Sequence, residues 1–199
     1  MEKLRNVSSL LISQQKEWTE IFSGFETANK YIVTDSEGSS LYYAAEIPKN
    51  ILLMFLKAAR PFEIKLLNPD QSVEMTVKRP FRFYFHELEV FDAQGRIIGS
   101  LKRRFSLLRR KIDVYDSAGN LIYELFGPIL HPWTFEIRAQ METIGKITKK
   151  WSGLAKESFT DADNFAAVFT HQIPPEHKAV LLAATFLIDF MYFENKNND

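Results

Sequence analysis

The stretch HKAVLLAATFLIDFMYFE, residues 177–194, constrains this chain more than any other. From residue 179 to 193 every side chain is apolar except Thr185 and Asp189. A helix that is oily on all faces has two homes, a bilayer or the middle of a protein core. At about 1.5 Å per residue, residues 179–193 reach roughly 22 Å, short of the roughly 30 Å of hydrocarbon in a bilayer. An acid near the centre of a span also costs about 2.5–3.5 kcal/mol on insertion scales. Local thinning of the bilayer can accommodate a short span, so a single-pass C-terminal anchor stays as the alternative. Length and acid together favour the buried helix. Asp189 is then expected to be paired by a basic or hydroxyl group at the end of the core, because an unpaired buried carboxylate is costly.

What precedes that helix reads as β-structure. YIVTDSEGSSLYY, LEVFDAQGRIIG and IDVYDSAGNLIY repeat one pattern, Asp-x-x-Gly between β-prone runs, at Asp35/Gly38, Asp92/Gly95 and Asp116/Gly119. Asp bonds its own backbone at a turn and Gly takes the left-handed position, so each unit predicts a hairpin. The acids are too few and too far apart for Ca²⁺ sites. Alternating runs at 60–67, 73–80, 81–91, 121–126, 134–139, 144–151 and 165–169 add strands; in one, Phe81, Phe83 and Phe85 share a face. The expected fold is mainly β, with about ten to twelve antiparallel strands followed by one oily helix. Leu4, Val7, Leu11, Trp18, Ile21, Phe22 and Phe25 recur at helical steps, which predicts an amphipathic helix over residues 8–23. The chain divides into an N-terminal helical segment (1–28), a β-domain with its central helix (29–194, helix 177–194) and a polar tail (195–199).

Net charge is zero, which argues against nucleic acid as a partner. There are no cysteines, so disulfides, thiolate catalysis and S-palmitoylation are excluded. The N-terminus lacks the apolar run of a signal peptide, so the expected location is the cytoplasm, peripheral to the inner face of a membrane. No Walker loop, G-x-S-x-G or H-E-x-x-H is present, and His86, His131, His171 and His177 have no ligand spacing, so no covalent chemistry is expected. One local cluster stands out: LKRRFSLLRRKI, with Lys102, Arg103, Arg104, Arg109, Arg110 and Lys111. On neighbouring strands these cations could meet anionic lipid headgroups. Equally, they form a solvated sheet face paired with acids such as Asp113 and Glu124.

Several stretches, in order, resemble the phospholipid scramblase family: QQKEWTEIFSGFETANKYIV (14–33), SLYYAAE (40–46), ARPFEIKLLN (59–68), IGKITKKWSG (144–153), FTDADNFAAVF (159–169) and KAVLLAATFLIDFMYFE (178–194). The resemblance implies a Tubby-like, LURP-one-related fold, a closed twelve-stranded barrel threaded by a hydrophobic C-terminal helix. It implies Ca²⁺-dependent movement of phospholipids between leaflets without energy input. The family's Ca²⁺ segment maps onto Asp161, Asp163, Phe165, Ala167, Phe169 and Gln172. Only the first two are acids, Gln172 replaces the terminal carboxylate, and Ala166 replaces the turn glycine, so any site is weak. The family's palmitoylated cysteine-rich stretches correspond to PKNILLMFLKAARP and VKRPFRFYFHELEV, which have none. ILLMFL (51–56) reads as a buried element, with a membrane-contacting loop as the alternative. Related Tubby folds bind phosphoinositides through basic surface residues, which adds to the headgroup reading of residues 102–111. The expected function is scramblase-like and lipid-interacting. The alternative is a soluble, membrane-peripheral adaptor for anionic headgroups or a protein partner, without transport.

Overall fold

The structure, a computed structural model, describes residues 1–15, 29–47, 61–80, 87–106, 109–149 and 164–192. Among them twelve strands run as β1 (Ser9–Gln14), β2 (Lys30–Thr34), β3 (Ser40–Ile47), β4 (Phe62–Leu67), β5 (Val73–Arg79), β6 (Glu87–Asp92), β7 (Ile97–Arg104), β8 (Arg110–Asp116), β9 (Leu121–Gly127), β10 (Thr134–Ala139), β11 (Glu142–Lys149) and β12 (Asn164–Phe169). Helix α1 (Pro175–Tyr192) follows. Each strand pairs antiparallel with its sequence neighbours, and β1 also pairs with β12, Leu10 opposite Ala167. The sheet is therefore a closed barrel without an edge, which removes the unpaired rim that invites aggregation.

Alternation fixes the inner face. Leu10 and Ile12, Ile64 and Leu66, Val77, Leu88 and Val90, and Ile112 and Val114 all point inward and are buried. Eight strands enclose an interior that side chains alone can fill, and a larger barrel leaves a lumen. Here α1 occupies it, with every residue from Lys178 to Phe190 buried. This is the expected oily helix, enclosed by the sheet. Gly99 on β7 sets the closeness of that fit. A Cβ built there would lie 2.6 Å from the Tyr115 carbonyl oxygen and 2.6 Å from a methyl of Val180.

The three Asp-x-x-Gly units are hairpin turns, as their sequence predicted. Asp116 Oδ1 accepts the backbone N–H of Ala118 and Asn120, and Asp35 and Asp92 repeat the arrangement. Gly38, Gly95 and Gly119 take positive φ of 83°, 79° and 83°. The 68–72 turn has the same form with Gln71 at φ 66° in the glycine position, which pattern reading missed. Each of the five hairpins carries a register shift beside its turn, a bulge that deepens the twist a barrel needs. All five turns lie at one end of the barrel, which we call the hairpin end.

The N-terminal helix is corrected. Residues 9–14 of the expected 8–23 helix form β1, with Leu10 and Ile12 inward and partners on both sides, β12 and β2. Spacings of three, four and seven among Leu4, Val7 and Leu11 could not distinguish a helix from a turn leading into a strand. These first residues belong to the barrel: a 3-10 turn over Glu2–Leu4 puts Leu4 in the core. Residues 16–23 of that expectation, the runs 51–56 and 81–86, and His86 lie outside the described residues.

Helix α1 is anchored where it enters, at the hairpin end. Lys178 Nζ donates to the carbonyls of Leu4, Arg5 and Val7 at 2.8–2.9 Å, tying the helix to the N-terminal turn. Beside it the Tyr123 hydroxyl meets His177 Nδ1 at 2.9 Å. Burial pushes the His177 pKa below its ordinary 6.5, against the pull of Asp116 and Glu176.

Two outcomes follow. Gly99→Ala should cost about 1–3 kcal/mol of stability by denaturant titration, because β7 and α1 must separate to admit one methyl. The fold holds neutral His177 more firmly than the unfolded chain does, so the unfolded chain binds more protons below 6.5. Stability should thus decline as pH falls below 6.5, and His177→Gln should remove that part of the melting-versus-pH profile.

Candidate functional site

The opposite end of the barrel is chemically different. There the last inward-facing positions of six strands are polar: Gln14, Glu46, Arg79, Arg103, Arg110 and Lys149 continue the phase of the buried apolar residues on their strands. Directly beneath lies an aromatic layer. Phe62 stacks on Phe190 of α1 at 4.2 Å and Tyr31 tilts against Phe186 at 5.1 Å. Phe135 meets Tyr192 at 5.5 Å. Arg79, nearly fully buried, lies over the Phe62 ring at 5.8 Å.

Asp189 reaches this layer from α1. Tyr31 donates its hydroxyl to Asp189 Oδ2 at 3.1 Å, and Lys149 Nζ stands 3.7 Å from Oδ1. The second distance is within ion-pair reach but long for a hydrogen bond, so that contact is chiefly electrostatic. The expected hydroxyl and basic partners are both present, and the carboxylate faces the barrel wall. Lys149 was legible in principle: in IGKITKK it keeps phase with Ile147, which faces the core. Nearby, Asn29 donates to Glu46 Oε2 at 2.7 Å and accepts from Gln14 Nε2 at 2.9 Å.

The six cations of residues 102–111 divide between two faces. Lys102, Arg104 and Lys111 face outward and are paired. Lys102 meets Glu87 at 3.0 Å, and Arg104 holds Asp113 at 2.6 Å and Glu124 at 3.1 Å. Lys111 also meets Glu124 at 3.1 Å. Asp113 and Glu124 are the acids that the solvated-face reading named. Arg109 lies over the Phe126 ring at 5.5 Å, beside Arg138 at 3.7 Å. A cleft of about 440 Å³ on the outer wall is lined by Arg104, Lys111, Glu124 and Arg138 among others.

Arg110 does something the sequence did not announce. Its guanidinium lies over Phe135 at 4.6 Å and Tyr192 at 5.4 Å. It donates to three carbonyls of the β9–β10 connection: Pro132 at 2.6 Å, His131 at 3.3 Å and Pro128 at 3.4 Å. Burial pushes its pKa down.

The expected Ca²⁺ set is only partly in view. Asp161 and Asp163 lie outside the described residues. Phe165, Ala167 and Phe169 sit on β12, hydrogen-bonded between β1 and β11. An extended strand sets alternate residues roughly 6.6 Å apart, so these carbonyls do not converge on one ion as an EF-hand loop requires. Gln172 follows, in the exposed link to α1. The described part of the set therefore does not fit an EF-hand-like site. Among the described residues no three His, Asp or Glu side chains cluster to hold a metal. His171 meets Glu142 at 3.2 Å, and His131 contributes its backbone to the β9–β10 turn.

Comparison with known proteins places this geometry. The Scramblase family profile matches residues 1–195. Phospholipid scramblase 1 of Mus musculus is 33% identical over 213 residues, covering all of this chain and 65% of the mouse protein. The rat protein of the same name is 32% identical and is covered over 64% of its length, so the chain spans slightly less than two thirds of these relatives. Phospholipid scramblase 2 of Bos taurus is 33% identical over 98% of this chain and 71% of its own. A crystal structure of an Arabidopsis thaliana protein superposes with a TM-score of 0.55 at 12% identity, covering 94% of this chain and 95% of that one; it shares the fold.

Asp189→Ala should remove a buried carboxylate facing Lys149 and cost about 3–5 kcal/mol in equilibrium unfolding. Asp189→Asn, which can still accept from Tyr31, should cost clearly less. Equal losses for the two would mean that the missing charge, and not the hydrogen bond from Tyr31, carries the cost.

Proposed function

Since the chain belongs to the Scramblase family, we propose that it is a scramblase-like, lipid-interacting barrel that works at a membrane surface with α1 kept inside. It lowers the barrier for phospholipids or holds their headgroups, with neither covalent chemistry nor an energy source. The observation that carries this reading is the enclosure of α1. Its apolar faces are covered by the barrel, Asp189 is paired within, and no helix among the described residues is long and apolar enough to cross a membrane. Contact with lipid then falls to the barrel's outside and ends, and the association is peripheral.

A specific observation also supports the second reading, a peripheral headgroup-binding adaptor without transport. The lumen is filled by α1, so among the described residues the interior leaves no open path for a headgroup. Activity assays separate the two. The chain should bind vesicles and be released by carbonate washing; resistance to extraction would sink the buried-helix reading. In vesicles with labelled phospholipid, exchange between leaflets above the protein-free rate supports scrambling. Binding without exchange, with and without Ca²⁺, leaves the adaptor.

A further inference from the structure

We propose that the barrel docks on an anionic bilayer through the end opposite the hairpins, with Phe105 beyond β7 and Ile129, Leu130 and Trp133 of the β9–β10 connection entering the interface and Arg103 and Arg109 meeting lipid phosphates. This rests on the lipid-interacting reading above and names its surface.

The first observation is exposed apolar side chains where a monomeric barrel has no use for them. Leu130 is 87% exposed, Ile129 64% and Trp133 41%, all in the β9–β10 connection; Phe105, just past β7, is 81% exposed. Arg104 pairs with Lys111 on β8, and Arg110 pairs with Gly127 on β9, so the ends of β7 and β9 flank the start of β8. Two strand spacings put the ends of β7 and β9 roughly 10 Å apart. Aliphatic side chains with a tryptophan, on loop tips, suit the boundary between headgroups and acyl chains.

The second observation is that the longer connection is held in shape. Arg110, clamped between Phe135 and Tyr192, takes three of its carbonyls, and internal bonds from His131 N–H to Pro128 and Thr134 N–H to His131 close the turn. Rigid presentation reduces the ordering cost of insertion, which a floppy loop would have to meet. Arg110 is thus a positioning residue.

The third observation is charge. Among the described residues no acid pairs with Arg103 or Arg109, both exposed at this end. Among the described residues the inward-facing layer at this end holds Arg79, Arg110 and Lys149 beside Arg103, with the acids Glu46 and Asp189. The hairpin end has the reverse character, with Asp35, Asp70, Asp92 and Asp116 in its turns. A neutral chain with this separation orients its basic end towards an acidic surface.

The chain's lack of cysteine permits single-site labelling. An environment-sensitive dye at Leu130→Cys should shift to the blue on adding phosphatidylcholine vesicles containing phosphatidylserine. The same dye at Leu121→Cys, at the hairpin end, should not respond. Arg103→Gln with Arg109→Gln should weaken vesicle binding roughly fivefold per charge, and the loss should shrink in high salt. Ile129→Ser with Leu130→Ser should weaken it at least tenfold, with an unchanged circular-dichroism spectrum showing an intact barrel. If unlabelled protein binds vesicles while the Leu130 dye is silent, the docking surface is wrong and the lipid reading survives. If unlabelled protein binds no vesicles at all, the lipid reading fails and the inference with it. A Leu130 shift that grows with protein concentration, without vesicles, assigns the tips to a protein interface and overturns the proposal.

Discussion

A sheet of this many strands, once closed, encloses more space than its own side chains can fill, and the packing of α1 into that space is what the rest of the structure depends on. Without the helix, the inward Leu, Ile, Val and Phe side chains would line a cavity and lose the contacts that close packing supplies. Without the barrel, a helix buried from Lys178 to Phe190 would expose its whole apolar surface. Gly99 shows how close the fit is, because there helix and strand approach without room for a methyl. Neither part has an independent core, so barrel and helix form one cooperative unit.

The helix also carries the polar exceptions that register it. Lys178 holds three carbonyls of the N-terminal turn at one end, and Asp189 meets Tyr31 and Lys149 near the other. An apolar rod in an apolar sleeve has few reasons to prefer one depth or rotation. Two buried polar contacts, set about three helical turns apart, supply them, since a slip would strand a charge in the core.

Much of this was readable from the sequence, and the limits have physical causes. Asp-x-x-Gly marked its hairpins because both residues do local work, Asp by accepting backbone N–H groups and Gly by adopting positive φ. Gln71 could not be flagged, since a glutamine in that conformation is imposed by the flanking ladder and leaves no local signature. The first strand was misread as a helix because six residues hold only two inward apolar side chains, too few for a period of two to outweigh spacings of three and four. Asp189 and its class of partner were foreseeable from the cost of burying a carboxylate. Which groups would satisfy it depended on strands far away in sequence. The basic stretch needed the register most of all: alternation sends Lys102, Arg104 and Lys111 towards outer-wall acids and Arg103 and Arg110 towards the mouth.

The pairing of β1 with β12 has a consequence in time. Each of the other strand pairs joins neighbours in the chain, whereas this seam unites strands separated by nearly the whole sequence, and the helix that fills the lumen comes later still. A chain emerging from the ribosome in order can assemble its hairpins one by one into an open, curved ribbon. It cannot shut that ribbon or cover its inner face until the last strand and the helix have been released. The seam demands the largest loop closure of any strand pair, and the apolar wall stays uncovered while it waits. Birth of this protein therefore passes through an interval in which a greasy trough faces its surroundings, and the strand and helix that close it are made after the rest of the barrel.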